Sequence, residues 1–245
     1  HPTWTDTSFS YFYAFNFDPH FDEQYEPDNW RIAVNNANFR HALAAAPDRL
    51  AICEIYEPYQ PERLLINTVT PHGFTAAGGM DYTDYPALKE ITDGDSYDTK
   101  AALRYRDLAM EELAEAGATF PIKVLIPYNP SIVNWELETD TVAAMLEDTL
   151  GTDFIDAIAE AGPETGFLSS IRRSGKYAFM KCNWGLDYDD PENMTSPFKK
   201  GNSYNFFVNA TQEDLALVAS VDAATKKDLD TVSKMSKREK ADLEI

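Results

Sequence analysis

The sequence is poor in cysteine, with Cys53 and Cys182 as the two cysteines in 245 residues. They lie far apart, and neither belongs to a CxxC pair or to a Cys/His cluster with metal-ligand spacing. Lone cysteines of this kind are more often small buried residues than partners in a disulfide. We therefore expect two separate thiols, with a disulfide as the alternative, and cysteine usage does not identify the redox compartment.

Long apolar runs are also missing from the chain. The longest ones, such as 42–46 and 124–126, fall far short of the roughly 20 residues that a membrane-spanning helix needs. The opening residues, His1 to Asp6, lack the basic, apolar and small-residue order of a secretion signal. We expect no membrane insertion, and we expect any secretion signal to have been removed or left out.

Basic residues are scarce, since 21 Lys and Arg stand against 41 Asp and Glu and give a net charge of -20. Such a chain repels the phosphates of nucleic acids and the anionic surfaces of membranes. We therefore expect no nucleic acid partner. Apolar residues make up 44% of the chain and aromatic residues 13%, which is enough for one large core or two small ones.

The first third of the chain predicts one strand and one helix between loops. Residues 8–17 carry aromatic side chains at alternating positions and predict a strand. The acidic stretch 26–28 predicts a turn. A helix is predicted to begin near Asn36 or Asn38, either of which would cap it, and to be disturbed by Pro47 at its end. Residues 58–86 are rich in proline, glycine and tyrosine and predict a long surface segment.

Strands and helices alternate in the rest of the chain. Asp98 is the candidate cap of the clearest helix, which stops at Gly117. The sequence then predicts a strand at 122–126, followed by a loop at 128–130 and a helix that runs through Val142, Met145 and Leu146 to Gly151. A strand at 154–158, a short helix at 167–171 and a strand at 177–183 are predicted after it. This alternation is typical of an α/β sheet with helix crossovers.

One acidic turn follows the last predicted strand. Asp187 lies just beyond the carboxyl end of that strand, where ligands bind in open α/β sheets. A carboxylate there, beside the indole of Trp184, could pair with an ammonium group while the ring covers apolar atoms. The alternative is an ordinary acidic turn, in which an Asp caps a loop ahead of Pro191.

Three blocks carry a resemblance to a known family. The stretch Trp184-Gly-Leu-Asp187-Tyr188-x-Asp190-Pro191 resembles the tryptophan, acidic-tyrosine and acidic-proline signature of the oligopeptide- and dipeptide-binding proteins. The block 38–49 resembles the family's Phe-Arg-x-Ala-Leu helix ending in Asp-Arg, and 105–117 resembles its helix ending in Glu-Ala-Gly. The blocks come in the family's order, and the similarity covers most of residues 8–210.

The resemblance implies a fold and a domain arrangement. It implies an α/β lobe of the type II periplasmic-binding-protein kind, with a mixed sheet flanked by helices, over residues 1–210. Residues 211–245 carry two narrow apolar stripes on a charged background. We expect these C-terminal helices to dock on an N-terminal lobe that lies outside this sequence. The chain departs from the family at Pro47, where relatives usually have an apolar helix former.

The resemblance also implies ligand-binding residues. Asp187 is implied to bind the α-ammonium of a peptide, with Trp184 beside it. Tyr128 and Asn129 are implied to line the same cleft. More weakly implied contacts with ligand side chains or the carboxylate are Asn134, Arg172 and Lys181.

The function implied is capture of extracellular peptides between two lobes and their delivery to an ABC transporter permease. The protein would then be extracellular or periplasmic, anchored as a lipoprotein, without cofactor, metal or catalytic residues. Alternative solutes are nickel chelates and oligosaccharides.

Two further classes of function rest on the carboxylates. Calcium is a possible ligand at 93–98 or 187–190, although neither stretch matches an EF-hand loop. An acid hydrolase is the other alternative, but no Gly-x-Ser-x-Gly, His-Glu-x-x-His or Walker motif is present.

Overall fold

A computed structural model describes residues 9–185, 187–188 and 190–199 of the chain. Its strands are β1 (Phe9–Phe15), β2 (Ala76–Ala77), β3 (Met80–Asp81), β4 (Ile122–Tyr128), β5 (Ile155–Ala161) and β6 (Phe179–Gly185). Its α-helices are α1 (Pro27–Asn35), α2 (Ala37–Ala45), α3 (Arg49–Glu54), α4 (Pro86–Thr92), α5 (Thr99–Glu115), α6 (Trp135–Leu150) and α7 (Pro191–Thr195). The predicted C-terminal helices lie outside these residues. Within them, no helix is both long and apolar enough to cross a membrane.

Two strand pairs of opposite kind form the frame of the fold. β4 and β5 are parallel, from the pair Ile122 and Ile155 to the pair Tyr128 and Ala161, and α6 is the crossover between them. β1 and β6 are antiparallel, so the first and last described strands lie side by side. A backbone bond of 2.9 Å from Ala178 N to the Leu125 carbonyl joins the two pairs. The frame has both parallel and antiparallel pairing, as the resemblance implied, but the pairs form separate two-stranded sheets and not one mixed sheet.

The main core lies between the helices and the β4–β5 pair. Trp30, Phe39 and Phe154 are fully buried at its centre. Phe39 contacts both other rings, each at a centroid distance of 5.7 Å. The Trp30 indole donates to the Asn16 carbonyl at 2.7 Å, so its polar atom is paired although it is buried. Burial of these rings supplies the apolar driving force that holds α1 and α2 against the sheet.

The helix starts follow the capping residues in the sequence. Phe39 N donates to the Asn36 side chain at 2.8 Å, and Ala101 N donates to the Asp98 carboxylate at 2.9 Å. α5 then ends just ahead of Gly117, whose φ of 86° suits a glycine. α2 ends at Ala45, two residues before Pro47, which confirms the predicted disturbance.

Two sequence predictions about loops need correction. The acidic stretch 26–28 is not a turn alone, because α1 begins at Pro27, whose fixed φ is well suited to the first helical position. The segment 58–86 contains the β2–β3 pair and ends at the start of α4, so it is more ordered than predicted. Cys53 and Cys182 are both free thiols, and Cys182 is buried, whereas Cys53 is half-buried.

We predict that Phe39→Ala lowers the free energy of unfolding by about 3–5 kcal/mol, because it opens a cavity between two buried rings. Urea unfolding followed by circular dichroism measures this. Leu108→Ala, at a side chain that is 44% exposed on α5, is the control and should change the value by less than about 0.5 kcal/mol. Equal effects of the two variants would contradict the described core.

We predict that Asp98→Ala costs about 1 kcal/mol of unfolding free energy, because Ala101 N loses its acceptor at the start of α5. Asp98→Asn keeps a capping oxygen and should retain most of the stability. The same urea titration compares the two variants, and an equal loss in both would show that the cap is not the cause.

Candidate functional site

The ends of β4 and β6 meet at the start of α6. Tyr128 at the end of β4, Trp135 at the start of α6 and Cys182 in β6 are buried in one apolar cluster. Trp184, near the end of β6, packs against the same cluster and is half-buried. The structure therefore brings the predicted residues Tyr128 and Trp184 into one region.

Asn193 holds the predicted ammonium-binding turn in place. The Trp184 indole N–H donates to the Asn193 backbone carbonyl at 2.9 Å and to its side-chain oxygen at 3.3 Å. The same side-chain oxygen accepts from Asp187 N at 3.4 Å. Because Asn193 is only 3% exposed, it fixes the indole and the backbone of Asp187 from inside the fold.

Asp187 and Asp190 have different roles in this turn. The Asp190 side chain accepts from Glu192 N at 2.7 Å and caps α7. The Asp187 side chain is exposed, and within the described part of the chain no ion pair reaches its carboxylate. In this turn Asp190 therefore caps a helix, and Asp187 presents its carboxylate at the surface.

The loop from β4 to α6 is shaped by its own side chains. Tyr128 OH donates to Glu136 at 2.9 Å, and this bond raises the pKa of the phenol, with a further rise from burial. The Asn129 side chain accepts from Ser131 N at 3.0 Å and is mostly buried. Asn134 adopts a φ of 66°, and its amide donates to the Ile55 carbonyl at 3.3 Å. These two amides stabilise the loop, and Asn134 is turned toward the end of α3.

Lys181 and Arg172 are in different surroundings from Asp187. Lys181 forms a buried ion pair with Glu138 of α6. It is three residues from Trp184 in β6, so the two side chains lie on opposite faces of the strand. Arg172 lies near the Cys182 thiol. Burial raises the pKa of this thiol to about 12, and the charge of Arg172 acts in the opposite direction.

Sequence reasoning missed Glu138 and Asn193. Glu138 is one helical turn from the buried residues Trp135 and Val142, so a carboxylate on the apolar stripe of α6 was the available signal. Asn193 had no such signal, because its partners Trp184 and Asp187 lie in a turn that folds back on α7.

A separate cavity of about 230 Å³ lies under the β4–β5 pair. Its lining includes Tyr25, Leu125, Glu160 and Lys176, and none of the predicted ligand residues. The predicted residues therefore do not line this cavity, and of them Asp187 and Asn134 are exposed whereas Tyr128 and Asn129 are buried.

The acidic stretches considered for calcium do not form metal-binding clusters of His, Cys and carboxylate groups within the described ranges. Asp98 caps α5, and the Asp95 carboxylate lies 3.6 Å from the Arg49 guanidinium. Among the described residues, the one cluster with metal-ligand spacing is His72, Asp81 and Asp84, whose ligand atoms lie within 4.8 Å of one another. His72 Nδ1 is already 2.8 Å from the Thr83 hydroxyl, which bonds to Asp81, so this group is a hydrogen-bonded turn at β3.

Solved structures of peptide-binding proteins share this fold. OppA of Listeria monocytogenes, solved with a bound peptide, is 20% identical with a TM-score of 0.63 and covers 85% of this chain and 37% of its own. An oligopeptide ABC transporter substrate-binding domain of Bacillus anthracis is 16% identical with a TM-score of 0.61 and covers 85% and 36%. The murein tripeptide-binding protein MppA of Escherichia coli is 16% identical with a TM-score of 0.54 and covers 98% and 39%.

These matches confirm the predicted fold, an α/β lobe of the type II periplasmic-binding-protein kind. The chain spans less than two fifths of the length of these three proteins. Comparison with curated protein sequences gives no match.

The model of one protein family matches residues 3–206, and its description is bacterial extracellular solute-binding proteins, family 5, middle. The match covers most of the sequence, including every predicted ligand residue. The chain therefore belongs to the family 5 bacterial extracellular solute-binding proteins.

Proposed function

We propose that this chain is one lobe of a two-lobed protein that binds extracellular peptides and delivers them to an ABC transporter permease. Membership of a solute-binding family and structural similarity to peptide-binding proteins support the proposal. The open surface around Asp187 supports the division into lobes, because a second lobe would complete the cleft. Binding without chemical change is the function of such a clamp.

The observation that carries the proposal is the exposed carboxylate of Asp187 beside the indole of Trp184. Asn193 holds the indole and the backbone of Asp187, so this part of the turn is already ordered when a ligand arrives. A peptide ammonium would form a charge-assisted hydrogen bond with the carboxylate, which is roughly twice as strong as a neutral bond. The indole would cover the apolar atoms of the first residue.

Large side chains are exposed in the turn of Asp187 and elsewhere on the lobe. Tyr188, next to Asp187, is 55% exposed. Tyr11, on the Lys181 face of the β1–β6 pair, is also 55% exposed, and Val133 before α6 is 80% exposed. Large apolar side chains on an open surface mark places where another molecule packs. In this proposal the loop of Tyr128 and Asn129 forms the wall of the cleft, and Arg172 and Asn134 lie further from its centre.

Transport would follow from closure of the two lobes over the ligand. A ligand favours the closed state only by its greater affinity for that state, so contacts from both lobes drive closure. The closed form would be the one that the permease recognises. In this proposal residues 211–245 dock on the other lobe. A lipid anchor holds the protein at the membrane, on its extracellular or periplasmic side.

We predict that Asp187→Ala in the intact protein raises the Kd for peptides with a free amino terminus by about 10- to 100-fold, because one hydrogen bond between charged groups is lost. Calorimetric titration with a mixed peptide library and with the same peptides N-acetylated measures this. Acetylation should weaken binding to the wild type and have little further effect on the variant. Asp148→Asn, an exposed acid on α6, is the control for loss of one negative charge.

Two outcomes would contradict this prediction. Equal affinity of the wild type for free and acetylated peptides would show that Asp187 does not bind an ammonium. Binding of neither form would show that the solute is not a peptide, while the family and the fold would be unaffected.

We predict that Asn193→Ala reduces the preference for free over acetylated peptides by a few fold, because Asp187 and Trp184 lose the side-chain oxygen that positions them. The effect should be smaller than that of Asp187→Ala, since the 2.9 Å bond from the indole to the backbone carbonyl remains. Thr195→Ala, at an exposed residue of α7, is the matched control. An unchanged preference would show that Asn193 only stabilises the helix.

A further inference from the structure

A buried ion pair lies on the face of β6 away from Trp184. The Lys181 ammonium pairs with the Glu138 carboxylate, and their side chains are 13% and 4% exposed. Tyr56 OH donates to the same carboxylate at 2.5 Å, and Tyr13 OH donates to its other oxygen at 2.9 Å. Glu138 therefore accepts three hydrogen bonds, from a residue of β1, a residue of β6 and a residue of the turn after α3.

Aromatic rings enclose the ammonium of Lys181. The centroid of the Tyr56 ring lies 4.7 Å from Nζ, and the rings of Tyr11 and Trp135 lie at 5.4 Å each. Lys181 Nζ also donates to Tyr56 OH at 2.9 Å. Ring faces attract a cation, so these contacts hold the ammonium where Glu138 neutralises it.

The two phenols remain donors across the ordinary pH range. Burial raises the pKa of Tyr13 well above its usual value, and the charge and hydrogen bond of Glu138 add to the rise. Burial likewise raises the pKa of Tyr56, again with a contribution from Glu138. Both hydroxyls therefore keep their protons and remain hydrogen-bond donors to Glu138.

This ion pair determines how strongly Lys181 can attract a ligand carboxylate. A carboxylate that approached Lys181 would meet a pair with no net charge, and its own charge would be repelled by Glu138. If Lys181 turned away to meet the ligand, it would leave Glu138 as a buried charge without its counterion, which is strongly unfavourable.

We propose that Glu138 is a built-in counterion of Lys181, so that the lobe does not read the carboxylate of a bound peptide at this position. The inference rests on the proposed peptide-binding function and names its specificity. The ammonium end is read by Asp187, and the carboxyl end is accepted equally well as a free acid, as an amide or as the middle of a longer chain.

The test compares peptides of one sequence with a free or an amidated carboxyl end, by calorimetric titration of the intact protein. For the wild type we expect the two Kd values to agree within about twofold. In Glu138→Gln the Lys181 charge is no longer neutralised, and the free acid should bind about tenfold more tightly than the amide, the effect of one charge-assisted hydrogen bond. Asp140→Asn, at an exposed acid of the same helix, controls for the loss of one negative charge and should resemble the wild type.

A tenfold preference of the wild type for the free acid would overturn the inference. So would the absence of any preference in Glu138→Gln, since Lys181 would then not face the ligand. Failure of both peptides to bind would refute the proposed function, and in that case the ion pair itself is tested without ligand.

A double-mutant cycle in urea unfolding provides this ligand-free test on the full chain. The variants are Glu138→Gln, Lys181→Met and the double variant, and Gln and Met preserve most of the side-chain volume. We expect the double variant to be destabilised less than the sum of the single variants, because neither charge is then left alone. Additive effects would show that Glu138 does not neutralise Lys181 and would overturn the inference.

Discussion

The pairing of β1 with β6 is the contact on which the rest of this lobe depends. Phe9 lies opposite Gly185, so the first described strand runs beside the last one. The register places Tyr13 beside Lys181, and α6 then lies over this cross-strand pair with Glu138. The same pairing fixes the end of β6, from which the turn of Trp184 and Asp187 emerges. Both charged parts of the site thus depend on one antiparallel ladder.

The two faces of β6 contact different surroundings, because successive side chains of a strand point to opposite faces. Met180 and Cys182 are buried in an apolar cluster together with Trp135 of α6. Lys181, between them in the strand, points to the opposite face and its buried anion. A carboxylate as enclosed as Glu138 is tolerated because each of its oxygens has a donor. Alternation along β6 therefore places an apolar cluster and a polar network on opposite faces of the strand, and Trp135 contacts both.

Local signals in the sequence predicted the helices and strands well, but not the contacts between residues far apart in the chain. Asn36 and Asp98 cap helices as predicted, because capping is a contact between residues three apart. The 26–28 turn was wrong, since a proline suits both a turn and the first position of a helix. The resemblance implied Lys181 as a ligand contact, whereas its ion pair with Glu138, 43 residues away, has no local signal in the sequence. The chemistry of Asp187 was predicted by a motif, whereas its brace, Asn193, was visible only in the folded chain.

The long separation between β1 and β6 also sets the order in which the lobe can fold. The aromatic strand Phe9–Phe15 lies about 170 residues ahead of its partner β6 in the chain. Loop closure of this length is slow, and until it occurs the strand has unpaired backbone groups, no charged residue and high β propensity. Such a segment is prone to pair with other chains. β1 is therefore protected from such pairing only once β6 lies beside it.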